Sequence, residues 1–180
     1  MERRMTVDQY LAGEETNRPQ ELAFGRLREP AAPGFEHQLI VGRLHVQFDA
    51  HVRAQRCGRV VVSPIDVILD LERALVVQPD LAFISSARLG VCRDQIWGAP
   101  DLVVEVLSTS NRRHDRTVKV GWYADYGVRE CWLVDPVAGT IEVADFSEPA
   151  AVHRLYDGLD PVRSRVLPDL QITASGVLYD

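Results

Sequence analysis

The chain is 180 residues long, 46% hydrophobic and 26% charged, with a formal charge of −6. That length suits one domain and is too short for two well-filled cores, and the composition is that of a globular chain, not a disordered one. The negative total excludes a protein that coats nucleic acid by bulk charge, and no apolar run reaches the roughly 20 residues that a bilayer span needs.

In chain order, Thr6 is placed to cap a short helix running through Leu11 and ending near Gly13. Glu21–Arg28 alternates around Gly25 and reads as a hairpin or bent strand, and 30–34 is a turn. From Glu36 to Gln55 the apolar residues Leu39, Ile40, Val41, Leu44, Phe48 and Val52 recur at helical spacing. This predicts the main helix, packed on a sheet and closed by Gly58. Strands are predicted at Arg59–Val62, Ile65–Leu69, Leu81–Ser85 and Leu102–Leu107, then a second helix over Arg113–Tyr126 ended by Gly127. Glu130–Val134 and Thr140–Phe146 form a hairpin, and the acidic tail adds a strand pair and a last helical turn. The pattern is an α/β (α+β) fold built on one sheet.

Several chemistries fall away early. Cys57, Cys92 and Cys131 are odd in number and widely spaced, which gives neither a disulfide framework nor a paired-cysteine zinc site. The five histidines never form the His-Glu-x-x-His pattern. Met1–Tyr10 lacks the apolar core of a secretory signal, so the cytoplasm is the expected compartment. Charge is uneven: residues 51–120 carry ten basic and eight acidic side chains, while 121–180 carry four and ten. Of the twenty basic residues nineteen are Arg, and the single lysine is Lys119.

Pro-Asp-Leu occurs at Pro79, Pro100 and Pro168. Proline before a strand is ordinary punctuation, and the third copy, with no acid close behind it, acts as an internal control. The second copy continues Asp101-Leu-Val-Val-Glu105-Val-Leu-Ser108. Period two puts Asp101, Val103, Glu105 and Leu107 on one face of the strand. Apolar neighbours on both faces argue that Glu105 is buried, where a carboxylate needs a cation, a metal or a donor network. The plainer alternative is a solvated glutamate on an exposed face. Asp80 opens a similar strand and is either a turn acid or a second carboxylate beside Glu105. Two converging carboxylates without Cys or His suit a hard cation such as Mg²⁺ or Mn²⁺, which activates water and offsets phosphate charge. Asp115, Lys119 and Tyr123 follow at i, i+4, i+8 on one helix face. Lys119 is either a surface partner of Asp115 or a point charge able to orient water at a phosphate. Arg112, Arg113 and Arg116 crowd the helix start, where the helix dipole disfavours cations and a bound phosphate would relieve the cost; a solvated basic turn is the other reading.

These motifs resemble a known family. The order Glu21-Leu…Gly25-Arg-Leu, His37 opening a long helix, Pro79-Asp80, the block from Gly98 to Pro136 and a closing Leu167-Pro-Asp-Leu resembles the Uma family of restriction endonucleases, placed in the PD-(D/E)XK nuclease superfamily. The resemblance covers nearly the whole chain and is most specific from Gly98 to Pro136. It implies one restriction-endonuclease-like domain over 1–180, with a central mixed sheet flanked by helices. An N-terminal helix and hairpin would fill about 1–34, the catalytic core about 35–146, and C-terminal strands 147–180. It implies Mg²⁺-dependent phosphodiester hydrolysis of DNA, with RNA less favoured, by a homodimer without a membrane. Asp80 and Glu105 would hold the metal and Lys119 would be the superfamily's lysine. His37, Glu21, Asp101, Ser108, Asp115 and Tyr123 would support them, and Arg112, Arg113 and Arg116 would position the nucleic-acid backbone. The superfamily usually places the lysine two residues after the acid; here that residue is Leu107, and the lysine stands on the next helix. Rival readings are a nucleic-acid- or protein-binding module that keeps the fold without turnover, and a hydrolase or lyase acting on a smaller phosphorylated substrate.

Overall fold

The computed structural model describes residues 4–13, 18–108, 114–148 and 150–179, without the Asp115 side chain. Two mixed sheets form its frame. The larger has six strands in the order β11-β10-β9-β8-β6-β3 and the smaller five in the order β2-β1-β5-β4-β7. In the larger sheet β3 is Gly58–Val62, β6 Leu81–Ser85, β8 Leu102–Val106, β9 Glu130–Asp135, β10 Thr140–Asp145 and β11 Val152–Asp157. In the smaller, β1 is Glu21–Ala23, β2 Arg26–Arg28, β4 Val67–Asp70, β5 Leu75–Val77 and β7 Ile96–Trp97. Pairing is antiparallel except for β8 with β9 and β4 with β7.

The helices are α1 (Val7–Leu11), α2 (Phe35–Gln55), α3 (Val120–Asp125) and α4 (Ala174–Leu178). Strand alternation sorts the core into layers. Leu102, Val104 and Val106 of β8 point toward Ile40, Leu44, Phe48 and Val52 of α2 and toward Val177 of α4. On the opposite face, Val103 and Leu107 pack with Val67, Leu75 and Val77 of the smaller sheet and with Val120 and Tyr123 of α3. The far face of the smaller sheet, Leu22, Ile68 and Val76, is covered by Val7 of α1. Every residue of β8 is buried, as the apolar neighbours on both faces require.

The expected mixed sheet with flanking helices is present, and Thr6 caps α1 with a reciprocal bond to Gln9. Some boundaries are corrected. The smaller sheet as a separate layer was not legible: β7 has two residues and β5 three, too short to display a period. The long helix is closed by Arg56 in the left-handed conformation, not by Gly58. Gly58 is needed instead for β3–β6 packing, since a Cβ there would lie 2.2 Å from the Ile84 carbonyl oxygen. The predicted second helix is a π-helical turn over His114–Lys119 running into the short α3. In the tail, β11 adds one strand to β10, and the expected partner strand is reduced to an isolated bridge between Pro161 and Thr173.

Candidate active site

A cavity of about 260 Å³ opens between the two sheets beside the first turns of α2. Its walls include Glu21, Arg28, His37, Gln78, Asp80, Glu105, Ser108 and Lys119. These come from separate parts of the chain. β8 delivers Glu105 on its inner face and Ser108 just past its end. Asp80 precedes β6, the antiparallel neighbour of β8. The hairpin β1–β2 pairs Glu21 with Arg28 directly across its ladder. The π-helical turn ends on Lys119, and Tyr123 stands one helical turn further on the same face.

The Lys119 ammonium lies 2.6 Å from Glu105 Oε1 and 2.8 Å from Glu21 Oε1, and donates to the Gln78 carbonyl oxygen at 3.4 Å. Lysine and both glutamates are almost fully buried, at 3% exposure each. With these acceptors the charge is both paired and hydrogen-bonded, the condition for keeping it out of water. Tyr123, also buried, donates to Glu105 Oε1 at 2.5 Å. Burial, then the Glu105 charge, push the phenol well above its ordinary value of 10.0, so it remains a donor. Burial alone would raise the Glu21 carboxyl, but Lys119, the Gln78 backbone N–H and Arg28 outweigh it and hold the group below 4.5.

Asp80 sits at the cavity's other wall. Its Oδ2 accepts from the Val106 backbone N–H at 2.7 Å and lies 3.2 Å from His37 Nε2. Its Oδ1 has no hydrogen-bond or ion-pair partner among the described residues.

Asp80, Glu105, Lys119, His37, Ser108 and Glu21 therefore line one cavity, and Tyr123 stands directly behind Glu105. Asp101 does not join them. It shares the Glu105 face of β8 but lies at the opposite end, bound to the Ser85 backbone N–H at 2.8 Å and to Arg88 and Arg129. Arg116 turns away to pair with Glu142 of β10 at 2.8 Å and does not line the cavity. Arg112, Arg113 and the Asp115 side chain lie outside the described residues. Among the cavity residues that the sequence does not point to, Arg28 and Gln78 are the two that bond to Glu21. Arg28 could have been found from the hairpin register, because a two-residue turn at 24–25 pairs position 21 with 28. Nothing in the sequence marks Gln78.

The residues fit a hard divalent cation in kind. Carboxylates line the cavity and no thiolate does. Among the described residues no group of three or more His, Cys, Asp or Glu is gathered to hold an ion. A Mg²⁺ site does not require one, since this ion keeps several waters and needs only one or two carboxylates with substrate phosphate oxygens.

The model of the Uma2 family, described as "Putative restriction endonuclease", matches residues 7–175. The chain belongs to the Uma2 family. Membership places it with restriction-endonuclease-like nucleases, the class that the Gly98–Pro136 block resembles. Among solved structures, the Uma2 chain is similar to "a putative nuclease belonging to DUF820" from Anabaena variabilis. The TM-score is 0.84 at 19% identity, covering 97% of each chain, so the likeness is one of fold. No curated protein matches. Among the described residues no helix is long and apolar enough to cross a membrane.

Proposed function

We propose that the chain is a Mg²⁺- or Mn²⁺-dependent endonuclease that hydrolyses phosphodiester bonds of DNA, with RNA the less favoured substrate. Asp80 and Glu105 hold the cation, and Lys119 orients the attacking water. The observation that carries this reading is the Lys119 ammonium 2.6 Å from Glu105 in a cavity that Asp80 also lines. It supports a catalytic place for a lysine that stands on the next helix and not on the strand.

When bound, the cation would supply Lewis-acid activation of water and offset phosphate charge. The chain's own residues do the rest. Tyr123 fixes the rotamer of Glu105. The Val106 N–H and His37 fix Asp80. With two carboxylates neutralised by a dication, Lys119, Arg28 and Glu21 leave one net positive charge, which matches one phosphodiester. Lys119 places that charge where the pentavalent phosphorane gains its own. A homodimer would bring two such sites to a duplex.

The test is purified protein with Mg²⁺ or Mn²⁺ on plasmid and oligonucleotide substrates. Glu105→Ala should abolish cleavage, and Lys119→Arg should lower it about a hundredfold, the cost of losing one preorganised donor. Cleavage unchanged in Glu105→Ala would overturn the assignment. DNA binding without cleavage in the unaltered chain would favour the binding module.

A further inference from the structure

Lys119 is shared between two carboxylates, but the proposed reaction asks only one of them, Glu105, to bind a cation. When Glu105 does so, it becomes a poorer partner for an ammonium, and a buried lysine needs another carboxylate to stay paired at the cavity. We propose that Glu21 is the positioning residue that keeps Lys119 at the cavity when Glu105 binds the cation, and that Glu21 does not itself hold the cation. This rests on the metal-dependent reading above.

Geometry separates Glu21 from the two proposed ligands. Both of its oxygens are already engaged. Oε1 accepts from Lys119 at 2.8 Å and from the Gln78 N–H at 3.3 Å, and Oε2 accepts from Arg28 at 3.2 Å. It faces two cations, an environment that repels a third. Asp80, by contrast, has an oxygen with no partner among the described residues. Glu21 is also held rigidly. It lies on β1, whose ladder fixes it opposite Arg28, while Leu22 pairs with Val76 of β5. Its carboxylate therefore stays where it is while Glu105 exchanges partners. The lysine needs no large motion, because it already touches both.

The composition makes this directly measurable. Lys119 is the only lysine, so full-length protein labelled with ¹⁵N and ¹³C in lysine gives one side-chain signal. Titrating wild type with Mg²⁺ should shift that signal, as Glu105 exchanges partners, and leave its ammonium protons slow to exchange. In Glu21→Gln the same Mg²⁺ addition should speed proton exchange at least about tenfold, the loss of one charge-assisted bond. Glu21→Asp, which keeps the charge one methylene short, should fall between the two and serves if the glutamine variant does not fold. Calorimetry with Mg²⁺ should show that Lys119→Met still binds the ion after Glu21→Gln is added. Mg²⁺ binding with unchanged lysine exchange in both Glu21 variants would overturn the role of Glu21 and leave the nuclease reading intact. Loss of Mg²⁺ binding only on adding Glu21→Gln to Lys119→Met would make Glu21 a ligand and overturn it too. No Mg²⁺ binding by wild type, alone or with DNA, would overturn both readings.

Discussion

At the scale of single residues, the site is a chain of contacts in which each member fixes the next. Tyr123 is fully buried and donates to Glu105 Oε1, the same oxygen that Lys119 reaches. A buried carboxylate oxygen facing an ammonium alone is less well compensated than one facing an ammonium and a phenol. Tyr123→Phe removes the phenol without opening a large cavity. It should therefore cost about 1–3 kcal/mol, the penalty for under-satisfying a buried acceptor, read from urea unfolding followed by circular dichroism. A loss below about 0.5 kcal/mol, the range of an ordinary surface substitution, would show that Glu105 does not need the phenol. The choice of lysine follows from the same contacts. A guanidinium is a planar fork, whereas the compact ammonium reaches Glu21, Glu105 and the Gln78 carbonyl oxygen from a single nitrogen. The one lysine beside nineteen arginines stands where a single compact charge is shared between two carboxylates.

At the scale of elements, the hairpin β1–β2 carries Glu21 and Arg28 to the cavity, and its turn decides their register. Phe24 and Gly25 both have positive φ, 51° and 81°, the signature of a two-residue turn with the twist that strands favour. Gly25 is constrained further: an added Cβ would lie 2.9 Å from Arg4 Cβ and 3.0 Å from the Met5 carbonyl oxygen. Gly25→Ala combines backbone strain of about 1–2 kcal/mol with this crowding, and for a chain of this size should lower Tm by about 2–8 °C. An unchanged Tm would mean that the hairpin relaxes freely and does not hold Glu21 in place. The elements also mark how far the sequence could be read. Period two found the face of Glu105, and helical spacing found Lys119 above Tyr123, because both are local rules. Period two also put Asp101 on that face, but parity gives the face and not the end, and Asp101 lies at the other end of β8. The crowding at the helix start points Arg116 to a phosphate, but its partner is Glu142, distant in sequence and outside the reach of a local rule. The π-helical turn before α3 has no compositional signal that separates it from an α-helix, and β5 and β7 are too short to have a period. What remained hidden is what depends on contacts between layers.

At the scale of the whole molecule, stability against acid separates into two windows. Glu21, Asp101 and Asp145 are carboxylates whose burial would raise them but whose partners lower them: Lys119 for Glu21, the Ser85 N–H and Arg88 for Asp101, the Ser147 N–H and Arg165 for Asp145. A lowered carboxylate binds its proton less readily folded than unfolded. Its contribution is complete above the ordinary values of 4.5 and 3.8 and is lost only as pH falls through the folded value. His114 acts in a different range. It accepts a hydrogen bond from Arg28 at Nε2 and packs edge-on against Trp122 at 5.4 Å. Burial, then the Arg28 charge, lower it from 6.5 to about 4. Between these values the unfolded chain takes up a proton that the folded chain refuses, so stability falls as pH drops from 6.5 toward 4. The upper part of this window, above about pH 4.5, lies clear of the three carboxylates. Urea unfolding at pH 7, 5.5 and 4.5 should therefore show a steady loss in wild type and a flatter profile in His114→Gln. The two chains should fall in parallel only below that range. An equal slope in both chains between pH 6.5 and 4.5 would assign the loss to another group. The consequence reaches the site, because protonating His114 removes the acceptor of Arg28 and sets two positive charges side by side, straining the cross-strand pair that holds Glu21.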